Sequence, residues 1–119
     1  MSSLSEEVKG LSFLDKLIYV IDNGELDFWE DRKDPPNLTA DEFKLVMNRI
    51  EEPKNLKSIP RESTSGPRGH TGEDNCFKFN CEAEFGGVFE IEMKYYFVKG
   101  YFFDKGNLKG VTIQSFRGE

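Results

Sequence analysis

A chain of 119 residues and 13.7 kDa is one domain's worth of polypeptide, since domains most often run about 100–150 residues, and a two-domain reading is excluded. With 37% hydrophobic residues, 13% aromatic residues and eleven Phe, it holds enough apolar bulk for one core despite 32% charge, which excludes wholesale disorder. The formal charge is −6, no apolar run approaches the roughly 20 residues a spanning helix needs, and Met1 to Gly10 has no apolar stretch, so a secreted or membrane form is disfavoured.

Ser12 precedes apolar residues at Leu14, Leu17, Ile18 and Ile21, the spacing of one helix face, with Asp15 placed as a capping acid and Asn23-Gly24 as the stop. Residues 25–38 carry Asp27, Glu30, Asp31 and Asp34 around Phe28 and Trp29, followed by Pro35-Pro36. A carboxylate-lined cation site is conceivable there, but a solvated acidic loop is the favoured reading. A second helix is marked by the Thr39/Glu42 box and the stripe Phe43, Val46, Met47 and Ile50, and Pro53 ends it.

Residues 54–75 read as a mobile basic loop, rich in turn formers and without periodicity. The period then changes. Phe77, Phe79, Cys81, Ala83 and Phe85 alternate with polar residues, Gly86-Gly87 offers a tight turn, and Phe89, Ile91, Met93, Tyr95 and Phe97 alternate again, which predicts an antiparallel pair. Gly100 interrupts the second strand and predicts a bulge or a close backbone approach. Asp104 to Asn107 turns the chain into a last strand, Val111 to Arg117, with Val111, Ile113, Ser115 and Arg117 expected on one face and Thr112, Gln114 and Phe116 on the other. The expected class is α+β: a single domain over residues 1–119, with two N-terminal helices packed on a three- to four-stranded antiparallel sheet.

Cys76 and Cys81 are five apart in a predicted strand, so their side chains point to opposite faces and do not bridge. With a single His and no CxxC spacing, no zinc site is expected and no cofactor is implied. Reduced thiols suit a cytoplasmic location. Charge is unevenly spread: residues 1–52 hold thirteen acids against six bases, a net of −7, whereas residues 53–72 are +3 and residues 94–117 are +4. Ordinary solvated lysines and a functional basic face stand at even odds on this pattern.

The order of elements, with Ile21-Asp22-Asn23-Gly24-Glu25-Leu26 closing the first helix, Asn55-Leu56-Lys57-Ser58 following the second, and Ser115-Phe116-Arg117 ending the last strand, resembles the MqsR family of RelE-like messenger RNA interferases, toxins of toxin–antitoxin pairs. The resemblance implies a RelE-like fold and metal-independent cleavage of single-stranded RNA, with Lys57 and Arg117 stabilising the charge that develops on the phosphate. It also implies a cognate antitoxin as partner. The family's Gln on the middle strands and Tyr opening the penultimate one have no secure counterpart, with Tyr95, Tyr96 and Tyr101 as possible substitutes.

His70 departs from the family pattern. Its unperturbed pKa near 6.5 suits a general base or acid, and Arg61 and Arg68 are placed to hold a phosphate, although a lone His in a glycine-rich loop is more often simply exposed. Lys94 and Lys99 interleave with aromatic residues in a pattern that also fits sheet cores. Tyr95 and Phe97 are assigned to the core with Phe89 and Ile91, leaving Tyr96 and Tyr101 as exposed RNA-binding candidates. Two functions therefore compete: an endoribonuclease, and a non-enzymatic acidic binding protein (immunity protein, antitoxin or phage-encoded inhibitor) that covers a basic surface of a partner, using the acidic N-terminal half with Glu90 and Glu92.

Overall fold

The computed structural model describes residues 4–29, 37–60, 75–103 and 108–119. A single helical turn α1 (Leu4–Glu7) leads to α2 (Phe13–Asn23), β1 (Glu25–Phe28), α3 (Ala40–Met47), β2 (Lys54–Pro60), β3 (Asn75–Gly86), β4 (Ile91–Phe103) and β5 (Gly110–Gly118). Both longer helices start where the side-chain chemistry places them. The Ser12 hydroxyl accepts from the Asp15 N–H and the Thr39 hydroxyl from the Glu42 N–H, each at 3.2 Å, satisfying a backbone donor that the helix cannot.

The strands form one five-stranded sheet in the order β1-β5-β4-β3-β2. This corrects the expectation of three or four antiparallel strands: β1 lies parallel to β5, and β2 joins the far edge antiparallel to β3. Both additions come from segments that read as loops. β1 has four residues and no full period, and β2 is Lys-Asn-Leu-Lys-Ser-Ile-Pro, whose polar residues suit an exposed edge. The basic loop expected over 54–75 therefore gives up 54–60 to a strand, and 61–74 lies outside the described residues, as do Glu30, Asp31, Asp34 and the turn at 104–107.

Helices α2 and α3 cover one face of the sheet. Leu17, Val20, Phe43, Val46 and Met47 meet Phe79, Val98, Ile113 and Phe116 in the main core. Phe13 adds edge-on ring contacts with Phe77 and Phe79 at 5.0 and 5.6 Å. The opposite face, open in the sense that no helix among the described residues covers it, carries a smaller buried group, Cys76, Tyr101 and Phe103, with Ile59 against it.

The face assignment of β4 differs from the expected one. Phe77, Phe79 and Cys81 of β3 point to the helices, and their partners Gly100, Val98 and Tyr96 must share that face. Tyr96 is therefore buried and Tyr95 exposed, the reverse of the expectation, while Phe89, Ile91 and Met93 lie in solvent rather than in the core. Tyr101 is fully buried in the open-face group. The turn is also longer than a two-residue hairpin, closing through Gly87 N–H to Glu90 O at 3.0 Å.

On β5 the expected alternation breaks. Lys99 pairs with Ser115 but Gly100 pairs with Ile113, so Gln114 is an extra residue. The inserted residue shifts the phase by one, and Phe116 joins Val111 and Ile113 in the core. Asn37 closes the gap on the far side: its Nδ2 donates to Trp29 O at 3.0 Å and Gln114 O at 3.2 Å, and its Oδ1 accepts from Phe116 N–H at 2.9 Å. Leu38 N–H to Phe116 O and Trp29 N–H to Ile113 O complete the edge.

Gly100 and Gly110 permit close approaches between neighbouring strands. A Cβ on Gly100 would stand 2.3 Å from Thr112 O, and one on Gly110 would stand 2.1 Å from Glu25 O, where β1 meets β5. Gly100→Ala is expected to lower unfolding free energy by about 1–3 kcal/mol through overpacking. Asn37→Ala is expected to cost a similar amount, about 1–3 kcal/mol, by stranding backbone groups at the bulge. Urea denaturation with unchanged m-value checks both.

Candidate nucleic-acid interface

The register places charge where the sequence only spaced it. Lys57 of β2 stands directly opposite Lys78 of β3, and Lys78 directly opposite Lys99 of β4. Cross-strand partners share a face, and Lys78 alternates with the inward Phe77 and Phe79, so all three lysines rise from the open face. Strands lie about 4.8 Å apart, which makes a line of cations about 10 Å long. Beside it, Asn80, Phe97 and Arg117 form the next row, with Phe97 opposite both of the others. The Arg117 guanidinium sits over the Phe97 ring at 5.7 Å.

Like charges directly opposed across a sheet repel. The ion pair found among the described residues is Lys54–Glu82 at 2.7 Å, which raises the Lys54 pKa mainly through that hydrogen bond. Lys57, Lys78, Lys99 and Arg117 have no carboxylate within ion-pair distance among the described residues. The band has a clear limit on each side. Toward the hairpin, Lys54, Glu82 and Glu119 take over, with Asn80 Nδ2 donating to Glu119 Oε1 at 2.7 Å and its Oδ1 accepting from Asn55 at 3.4 Å. Toward the other end lie the buried Cys76, Tyr101 and Phe103, with the half-buried Ile59 against them.

Of the residues singled out from the sequence, Lys57, Lys99 and Arg117 come together on this face. Lys57 and Arg117 do not converge on a single pocket, because β3 and β4 separate their strands. Lys94 points to the helix face, its ammonium 5.1 Å from the centre of the Phe85 ring. Tyr96 and Tyr101 are buried at 2% and 0% exposure and offer no ring to a base. Arg61, Arg68 and His70 lie outside the described residues. Sequence reasoning missed Lys78, whose outward phase follows from Phe77 and Phe79, and Phe97, which it placed in the core. Tyr95 is also on the open face, two residues from Phe97 and half exposed.

Chemically, the face offers fixed positive charge and two aromatic surfaces. Cys81, the apolar-face thiol, is no nucleophile: burial, with the Glu119 charge second, pushes it from 9.0 up to about 12. Cys76 is buried on the other face, its Sγ 3.4 Å from Gln114 Oε1, so the two thiols stay unbridged on opposite faces, as their spacing predicted. No group of three His, Cys, Asp or Glu among the described residues is arranged to hold a metal ion. None of their helices is long and apolar enough to cross a membrane. No family model, curated protein or solved structure matches the chain.

The raised Cys81 pKa carries a sign. The neutral thiol is favoured by folding, so its contribution to stability is full below pH 9 and is lost as pH rises toward 12. Iodoacetamide at pH 8 is expected to label neither cysteine until denaturant opens the core, and urea midpoints are expected to fall above pH 9, with Cys81→Ala flattening that fall.

Proposed function

We propose that the chain binds single-stranded nucleic acid across the open face of its sheet. The observation that carries this reading is the line Lys57–Lys78–Lys99 with Arg117 beside it, which no carboxylate among the described residues pairs. A net charge of −6 repels a polyanion overall, so attraction must come from a local concentration of cations, and this face has one. Tyr95 and Phe97, about 7 Å apart along one strand, supply surfaces on which unpaired bases stack. A duplex hides its base faces and gains less from such a surface.

Cleavage of RNA is a second reading, favoured by the shared face of Lys57 and Arg117. Those cations would stabilise charge on a phosphate, but cleavage also needs a group that takes the 2′-hydroxyl proton. A lysine ammonium and an arginine guanidinium donate hydrogen bonds and have no acceptor site for that proton. The sequence offers His70 for that role.

Fluorescence anisotropy with a labelled 12-nucleotide RNA, in EDTA and at several salt concentrations, tests binding. For about four neutralised phosphates, log K is expected to fall with log salt at a slope of about −3, and Lys78→Ala to reduce that slope by about 0.7. Reversal of Lys57, Lys78 and Lys99 to Glu is expected to weaken binding at least tenfold. A duplex bound as tightly as the single strand, or binding that survives the triple reversal, would overturn the proposal. Gel analysis of the same samples tests cleavage: His70→Ala is expected to leave binding intact and to abolish cutting if the histidine is the base.

A further inference from the structure

Strand β4 outruns β5. Their pairing ends at Tyr96 opposite Gly118, with one further bond from Glu119 N–H to Tyr95 O at 2.8 Å. Pairing with β3 continues to Gly86 opposite Ile91. Within an antiparallel strand, the N–H and C=O of one residue point the same way and the direction alternates along the chain. The Tyr95 carbonyl therefore sets residues 91, 93 and 95 facing the side that β5 has left. The turn bond that aims Glu90 O inward at Gly87 gives the same phase independently. The backbone groups of Ile91 and Met93 thus have no strand beside them among the described residues, and such an edge is a template for another strand.

A second observation lies at the same edge. The Tyr96 hydroxyl is buried and has no hydrogen-bond partner among the described residues, although its ring is stacked on Phe116 at 5.2 Å. It lies in a cleft of about 370 Å³ whose walls include Glu42, Glu92, Met93 and Lys94. Burial, followed by the charge of Glu42, holds its pKa above the usual value, with Glu92 adding in the same direction. Buried polar groups without partners are rare and call for an explanation.

The side chains along the edge alternate in chemistry. Ile91, Met93 and Tyr95 point to the open face and are exposed, whereas Glu92, Lys94 and Tyr96 point to the other, where Glu42 of α3 also stands. Lys94 is the one base in this set, and its ammonium is held over the Phe85 ring. At the tip, Val88 and Phe89 are 93% and 100% exposed, next to Glu90. A strand added here meets apolar neighbours on one side and carboxylates on the other.

We propose that the free edge of β4 over Ile91–Met93 takes up an extended segment of a partner protein in which basic and apolar residues alternate. Its backbone pairs with Ile91 and Met93. Its apolar side chains cover Met93 and Tyr95 on the open face. A Lys or Arg on its other side enters the cleft between Glu42 and Glu92, where one N–H donates to the Tyr96 oxygen. This is strand addition, in which main-chain bonds supply affinity and alternate side chains supply selectivity.

The test is a nuclear magnetic resonance titration of the isotope-labelled full chain with an alternating Lys–Val octapeptide, against an alternating Glu–Val octapeptide and a block Lys₄Val₄ octapeptide. The expected result is saturable binding of the Lys–Val peptide alone, with the Ile91 and Met93 amides shifted and slowed in hydrogen exchange. Met93→Pro, which removes an outward N–H and no ladder bond, is expected to abolish it. Tyr96→Phe and Glu92→Gln are each expected to weaken it at least fivefold with the spectrum otherwise dispersed as in the parent. Equal binding of either control peptide, unchanged binding by Met93→Pro, or shifts centred on Lys57 and Lys78 would overturn the proposal. So would sedimentation showing that a second copy of the chain occupies the edge. The variants alter neither the open-face cations nor Tyr95 and Phe97, so a failure of strand uptake and a failure of RNA binding are distinguishable.

Discussion

Asn37 holds a kink that decides which side of the molecule each end of β5 serves. One extra residue at Gln114 lets Phe116 follow Val111 and Ile113 into the core. The same step turns Arg117 outward, to lie beside the lysines. An unkinked strand would bury Arg117 under α3 or expose Phe116 to water, and each costs far more than the bulge. The amide side chain makes the kink tolerable because it donates to one stranded carbonyl and accepts from one stranded N–H, as a neighbouring strand would. The core and the charged face are therefore two outcomes of a single local distortion.

The charged face shows how an acidic chain can present a basic surface. Lys57, Lys78 and Lys99 are separated by about twenty residues each in the sequence, and only the register makes them neighbours. Their mutual repulsion works against folding, and no carboxylate within ion-pair distance relieves it among the described residues. An anion laid along the line relieves it, so attraction for a ligand and internal strain are the same energy seen from two states. The adjoining pair Lys54–Glu82 and the Glu119 carboxylate on Asn80 confine this potential to a narrow band.

What the sequence made legible was local. Ser12 and Thr39 announce their helices because a cap is a contact between residues three apart. The alternation of β3 is unambiguous, and with it the opposite facing of Cys76 and Cys81. Gly100 marked a close approach, and the structure has one. Strand β4 misled because apolar residues occupy both phases: 89 to 97 by odd numbers and 96 to 102 by even ones. Pairing with β3 chooses the second, a non-local fact. Strands β1 and β2 are short or polar and take their identity from their neighbours. The candidate site was legible in its members Lys57, Lys99 and Arg117 but not in its geometry, since Lys78 is the link and nothing local distinguishes it from any solvated lysine.

The parallel union of β1 with β5 has a bearing on how the chain acquires its shape during synthesis. Glu25 to Phe28 finds its strand partner in residues 110 to 113, and Gly110 must sit flush against the Glu25 carbonyl for the two to meet. A ribosome delivers these segments far apart in time. The early helix α2 emerges with its apolar stripe uncovered and waits for nearly the whole chain before the sheet beneath it can close. Closure of the sheet against α2 is thus a late event, and the net negative charge of the N-terminal third opposes self-association until then.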